Sequence, residues 1–193
     1  SQRAGLYICP ISSQLTAEEA AYIANDSQAR LLVTHADIPA AATLVRDRAV
    51  LVPRIADVFD LGSGLDGLAS WEKALAAPPR DRIADESAGF HMVYSSGTTR
   101  RPKRIRLPLK GGPADEPHML AERISGRYGV GEGSVILSPA PLYHTAPLAY
   151  GMVAHRLGAT LVVMDKFDAE ETPRLIERYR VTFMQMVPTM FVR

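Results

Sequence analysis

Cysteine is nearly absent: Cys9 stands alone among 193 residues, so no internal disulfide framework is available and the expected setting is a reducing cytoplasm. Cys9 lies in the apolar run Leu6-Tyr7-Ile8-Cys9-Pro10, which favours a packed structural thiol over a reactive one. No apolar stretch reaches the ~20 residues that a membrane span requires. Nor does an apolar segment follow Arg3 as it would in a secretory leader. Excess charge is missing too, with 22 Lys and Arg against 21 Asp and Glu, so no global field argues for nucleic acid or acidic lipid. His35, His91, His118 and His155 stand singly, without the His/Cys/Asp spacing of a metal cage, and no metal site is expected. The chain also lacks a G-x-S-x-G elbow, which removes the usual serine hydrolase, and has no internal repeat or low-complexity tract.

What is present is an alternation of strand-like and helix-like segments. Residues 6–10 read as a short strand closed by Pro10. Thr16-Ala17-Glu18-Glu19 is a capping box that opens a helix with Ala17, Ala20, Ile23 and Ala24 on one face and its end at Asn25-Asp26-Ser27. The spacing then predicts a strand over 30–34, a helix over 37–46, a strand over 49–52, a glycine-rich loop over 61–67 and a short helix over 71–76.

A charged, proline-containing connector at 78–85 marks the expected boundary between a first lobe, 1–85, and a second, 86–193. The second half continues with strands over 90–94, 135–137, 160–164 and 181–186. Between them come a helix presenting Leu120, Ile124 and Tyr128, a helix over 145–157, and one capped by Asp168 or Thr172 with Leu175, Ile176 and Tyr179 inward. Val187-Pro188-Thr189-Met190 opens a further helical turn. Such alternation predicts an α/β fold: a layered, largely parallel sheet flanked by helices. With no methionine at its start and a helix opening near its end, the chain is expected to be cut from a longer architecture.

The segment richest in chemistry is Tyr94-Ser95-Ser96-Gly97-Thr98-Thr99-Arg100-Arg101-Pro102-Lys103. A strand delivers four hydroxyl side chains, a glycine and a lysine. Hydroxyls and glycine-backed N–H groups wrap phosphate oxygens, and a lysine supplies positive charge. The second glycine and closing Lys-Ser/Thr of the Walker loop are absent. The segment resembles instead the phosphate-binding loop of the adenylate-forming superfamily, which includes acyl-CoA synthetases, luciferases and peptide-synthetase adenylation domains. Eight positions (Tyr94, Ser95, Ser96, Gly97, Thr98, Thr99, Pro102 and Lys103) fall in order on that family's pattern.

Arg100 and Arg104 stand where the family has glycine. A residue with a Cβ meets a cost of roughly 1–2 kcal/mol in the left-handed region, and two guanidinium groups either attract a triphosphate or fill its space; the expectation is impairment. Downstream, Pro139-Ala140-Pro141-Leu142-Tyr143-His144-Thr145 resembles the family's P-L-[FY]-H segment, with Pro147 at a position where the family has glycine. Residues 5–19 and 167–189 resemble the family's corresponding flanks, so the likeness spans nearly the whole chain.

The resemblance implies an incomplete N-terminal domain of an acyl-CoA synthetase, with the mobile C-terminal domain absent. It implies that Ser95, Ser96, Gly97, Thr98, Thr99 and Lys103 bind the phosphates of ATP, and that His144 and Tyr143 border the acyl and nucleotide pocket. The complete enzyme would join a small-molecule carboxylate to ATP with Mg²⁺, releasing pyrophosphate, and pass the acyl group to coenzyme A. The family's later parts, an aromatic-Gly-x-Thr-Glu segment, a ribose-binding aspartate and a catalytic lysine, are not matched here. This chain alone is therefore expected to be inactive, and no residue in it is assigned as catalytic. Fatty, aryl and amino acids remain open as acyl substrates, with the Tyr-His-Thr-Ala-Pro wording favouring a CoA ligase.

Two other readings stand beside it. One is a non-catalytic α/β remnant that associates with itself or a partner through exposed apolar surface. The other is an anion or nucleic-acid binder using Arg100, Arg101, Lys103, Arg104 and Arg106, a cluster that is dense but short.

Overall fold

Strands and helices alternate as the apolar spacing predicts, and in the computed structural model residues 3–62, 64–76, 81, 83–95, 101–116 and 118–192 are described. They fall into two compact units, residues 1–109 and 110–193, a division further along the chain than the connector at 78–85. Of that connector, residues 78–80 and 82 lie outside the described residues.

The first unit opens with β1 (Tyr7–Ile8) and α1 (Ala17–Asp26). The capping box forms as expected: Glu19 N–H donates to Thr16 Oγ1 at 3.3 Å, and Thr16 N–H donates to Glu19 Oε2 at 2.9 Å. Both amides would otherwise be unpaired at the helix start. Ala20, Ala21 and Ala24 of α1 share one buried cluster with Ala40, Leu44 and Val52, small residues that let the helix backbone come close. Next come β2 (Leu31–Thr34), α2 (Ala41–Arg46), α3 (Arg48–Leu51), β3 (Asp57–Asp60), β4 (Ala69–Ser70) and α4 (Trp71–Ala76). Strands β2, β3 and β4 form a parallel sheet in that order.

The strand expected over 49–52 is not there. Those residues belong to the single helical turn α3 and its end, because the Asp47 carbonyl accepts from Val50 N–H at 3.0 Å and from Leu51 N–H at 2.9 Å. A four-residue apolar run fits either state, and local hydrogen bonds decide it. The strand is β3, hidden in sequence by its flanking aspartates. Asp60 nevertheless sits buried at 1% exposure, its Oδ2 accepting from Leu65 N–H at 3.1 Å as the chain turns.

A second sheet in this unit has the order β1-β5-β6, with β5 (Phe90–Ser95) and β6 (Lys103–Arg106). Strand β1 runs parallel to β5, whereas β6 runs antiparallel to it. The β6 strand was hidden by its charge, since all four of its residues are exposed.

The second unit contains α5 (Met119–Tyr128), β7 (Val135–Ser138), α6 (Thr145–Arg156), β8 (Thr160–Val163), α7 (Glu171–Tyr179) and β9 (Phe183–Met184), then a 3-10 turn at Pro188–Met190. Its sheet is parallel, in the order β8-β7-β9. Ala121, Ile124, Val130, Ile136, Val153 and Ala154 make its core, with Leu120 packed against them. Tyr128 is exposed, its ring tilted against Phe183 at 5.5 Å. On α7, Leu175 and Ile176 are half-buried and Tyr179 is exposed. Asp168 supplies the start of α7, its Oδ1 accepting from Glu170 and Glu171 N–H at 2.8 Å each. Among the described residues no helix is long and apolar enough to cross a membrane.

Leu137 has no exposed surface, whereas Val50 is 82% exposed. In urea denaturation, Leu137→Ala should cost about 3 kcal/mol and Val50→Ala less than about 0.5 kcal/mol. Equal losses would contradict the helical, solvent-facing placement of Val50.

Candidate functional site

The hydroxyl-rich segment is the connection of a β-hairpin. Strand β5 enters from the core, with Met92 and Val93 buried, and becomes half-buried at Tyr94 and Ser95. Register then pairs Ser95 with Lys103 and Tyr94 with Arg104. Directly opposed residues of an antiparallel pair project from the same face. Ser95 and Lys103 therefore stand on one face at the mouth of the loop, and Tyr94 and Arg104 on the other. Ser95 Oγ donates to the Lys103 carbonyl at 3.4 Å, and the Lys103 side chain is exposed. Ser96, Gly97, Thr98, Thr99 and Arg100 lie outside the described residues. A hydroxyl and an ammonium sharing a face at a hairpin mouth suit an anionic phosphate, the charge-assisted donor set such groups require.

The opposite face is tied to α1. Tyr94 OH donates to Asp26 Oδ2 at 2.6 Å, and Arg104 Nη1 donates to the Asp26 carbonyl at 2.6 Å. Arg104 Nε lies 3.7 Å from Asp26 Oδ2. Asp26 is the last residue of α1, so this cation meets the negative end of the helix dipole. Nothing in the sequence singled out Asp26 beyond its place at a helix end.

Around this pair, Arg101 lies 5.4 Å from the centre of the Tyr22 ring, and Tyr22 OH donates to the Pro102 carbonyl at 3.4 Å. Arg106 lies 4.5 Å over Tyr7, whose OH donates to the Leu107 carbonyl at 2.5 Å. The returning strand is thus tied by side chains to Tyr22 and Asp26 of α1 and to Tyr7 of β1. Arg104 is not among the non-glycine residues at positive φ, which in the described chain are Gln28 and Arg180. The backbone cost expected for replacing glycine does not arise at this position.

Burial and the neighbouring Asp26 carboxylate hold the Tyr94 phenol well above its ordinary range. Burial likewise pushes the Cys9 thiol up to about 11, with Ser27 opposing and the Asp26 charge assisting. Such a thiol stays protonated near neutrality, in keeping with the structural part expected of it.

The histidine segment lies in the second unit. Strand β7 ends at Ser138, whose Oγ is buried without a hydrogen-bond partner among the described residues. The chain then turns through residues 139–143 into α6, and His144 occupies the N-cap position with extended backbone, φ −85° and ψ 148°. Its imidazole makes no capping bond and is exposed, with the half-buried Tyr143 ring 4.6 Å away, centre to centre. Pro147 is buried in the first turn of α6, where its missing N–H costs no intrahelical bond. Among the described residues no group of three or more His, Cys, Asp or Glu is placed to hold a metal ion.

Residues 1–193 match the family of AMP-binding enzymes over their whole length. The chain belongs to that family. It is 38% identical over 118 residues to a 4-chlorobenzoate–CoA ligase of a Pseudomonas species, a match covering 61% of this chain and 21% of that protein. It is 28% identical to a long-chain-fatty-acid–CoA ligase of Mycobacterium tuberculosis over 95% of this chain and 35% of that one. The fold matches the N-terminal domain of FACL13 from the same organism, solved with an inhibitor, with a TM-score of 0.74, 24% identity, and coverage of 95% of this chain and 44% of that chain. This family member therefore spans between about a fifth and a third of the length of those two curated relatives.

The raised values of Cys9 and Tyr94 fix the sign of a pH effect. A group whose folded value lies above its unfolded one stabilises the fold below the unfolded value, and that contribution disappears as pH rises through the folded one. For Cys9 the window runs from its ordinary 9.0 to about 11. The urea midpoint of this family member should fall across that window, and Cys9→Ala should flatten the fall. A slope unchanged by the substitution would show that the thiol is not buried as described.

Proposed function

We propose that this chain is part of an ATP-dependent acyl-CoA ligase and that its hairpin loop holds the β- and γ-phosphates of ATP. The observation that carries the reading is the register of the hairpin, which sets the Ser95 hydroxyl and the Lys103 ammonium opposite one another at the loop mouth. Membership of the AMP-binding family and the CoA-ligase relatives support it. Ser96, Gly97, Thr98 and Thr99 complete the cradle in this proposal, with Mg²⁺ sharing the phosphate charge.

The chemistry explains why such a loop is needed. A carboxylate is a poor electrophile. Its oxygen attacks the α-phosphorus of ATP, pyrophosphate departs, and the resulting mixed anhydride carries AMP as a good leaving group. The sulfur of coenzyme A then attacks the acyl carbon, AMP leaves, and a thioester remains. Positive charge and hydrogen-bond donors on the β- and γ-phosphates orient the nucleotide and stabilise the charge that develops on pyrophosphate. His144 and Tyr143, at the start of α6, border the acyl group in this reading, and the setting is the cytoplasm.

The nucleic-acid reading gains no support, since Arg101, Arg104 and Arg106 are turned onto Tyr22, Asp26 and Tyr7 of the same unit. The remnant reading has an observation in its favour: Leu31 and Val33 of β2 and Phe191 and Val192 near the end are exposed. Concentration-dependent light scattering without nucleotide binding would favour it.

Calorimetric titration of Mg²⁺-ATP tests the main proposal. The parent chain should bind, and Lys103→Ala should weaken binding about tenfold, the equivalent of one charge-assisted hydrogen bond. Ser95→Ala should weaken it less, about threefold. A parent chain that releases no binding heat, or a Lys103→Ala variant that binds as well as the parent, would overturn the assignment of the loop.

A further inference from the structure

We infer that Arg104 is a positioning residue: it clamps the second strand of the hairpin onto the end of α1 through Asp26 and so fixes the mouth of the loop. The inference rests on the phosphate-loop reading for its consequence, but its geometry stands apart from that reading.

The geometry begins with register. Lys103 and Arg104 are adjacent in β6, so their side chains leave opposite faces of the strand. Holding Arg104 from one side therefore determines where Lys103 points on the other. The partner of Arg104 in the ladder is Tyr94, and both reach Asp26. Asp26 receives Tyr94 OH on its carboxylate and Arg104 Nη1 on its carbonyl, each at 2.6 Å, while Arg104 Nε lies 3.7 Å from the carboxylate. One residue at the end of one helix thus holds both strands of the hairpin one position before the loop closes.

Arginine is the side chain suited to this. Its guanidinium is a rigid planar fork whose nitrogens reach a carbonyl and a carboxylate together, whereas the ammonium of lysine is a single point donor. The rest of β6 offers little alternative anchorage, because every residue in it is exposed. Arg101 and Arg106 are held over aromatic rings, contacts that tolerate sliding, while the Arg104 hydrogen bond to the Asp26 carbonyl is directional. The glycine that the family pattern would place here could form neither the hydrogen bond nor the ion pair.

This positioning role runs opposite to the expectation that Arg104 obstructs the nucleotide, and the two predict opposite effects of removing the side chain. If the side chain filled phosphate space, Arg104→Gly would tighten Mg²⁺-ATP binding. If it positions the loop, Arg104→Gly loosens the hairpin and weakens binding.

The experiment follows two readouts on the full chain and on its Arg104→Gly, Arg104→Lys and Asp26→Asn variants: calorimetric titration with Mg²⁺-ATP, and backbone hydrogen exchange over residues 90–106. Arg104→Gly should weaken Mg²⁺-ATP binding about fivefold and speed exchange in residues 103–106 about tenfold, with the amides of α1 unchanged. Arg104→Lys should restore part of both, which simple filling of space would not achieve. Asp26→Asn, which keeps the carbonyl and the side-chain shape, should fall between parent and Arg104→Gly and guards against a glycine variant that fails to fold. Tighter binding by Arg104→Gly, or exchange over 103–106 unaltered in both Arg104→Gly and Asp26→Asn, would overturn the inference. Should the parent chain bind no Mg²⁺-ATP, the proposed function falls, and the exchange measurement alone decides whether the clamp exists.

Discussion

One antiparallel pairing governs the candidate site. Every other strand pair described in the chain is parallel. Among the described strands, β5 and β6 are the pair joined as a hairpin, so that the chain leaves a buried strand and returns antiparallel beside it. A loop held in this way has both ends fixed to one ladder. It also has a fixed chemistry at its mouth, since Ser95 opposes Lys103. A slip of one residue in that register would carry Lys103 to the helix side and Arg104 to the loop side.

That register needs support from outside the hairpin, and α1 provides it. The helix starts where Thr16 and Glu19 close the capping box and extends ten residues to Asp26, a rise of about 15 Å. Tyr22 and Asp26, four residues apart, lie on one face of it. Tyr22 meets Pro102 and Arg101 just before the returning strand, and Asp26 meets Tyr94 and, two positions past Pro102, Arg104. Cys9, whose thiol is raised by burial and by Asp26, packs into the same corner. The capping box at residue 16 and the loop at residue 95 are therefore parts of one mechanical arrangement. The first fixes where the helix starts, and the far end of the same helix holds the strands that bear the second.

The sequence carried much of this and concealed a particular part. Helix α1 was legible because its apolar period and its capping box agree. The α/β class and the family likeness were legible from alternation and from eight ordered positions of one loop. Short elements were not. Residues 49–52 look like a strand but satisfy their amides locally as α3, while β3 begins and ends in aspartate, which strands disfavour. Strand β6 reads as a basic cluster because no face of Lys103-Arg104-Ile105-Arg106 is buried. Its strand state comes from pairing with β5, which is a tertiary fact that no local pattern announces. Missing β6 hid the hairpin, and with it the roles of Tyr94 and Asp26.

The same omission bears on why impairment was expected of Arg104. Set in a glycine-rich loop, an arginine invites two objections: a strained backbone and a side chain in the ligand's place. Both depend on position 104 belonging to the loop. In the structure it belongs to the strand, where φ is negative and a side chain has a defined face. The first objection then lapses, and the second turns on which face, which pairing with Tyr94 decides. Family glycine and local arginine are compatible answers to different needs. Glycine leaves the strand free of side-chain ties, while arginine ties it to the helix, and a hairpin tied through Asp26 has no further use for that freedom.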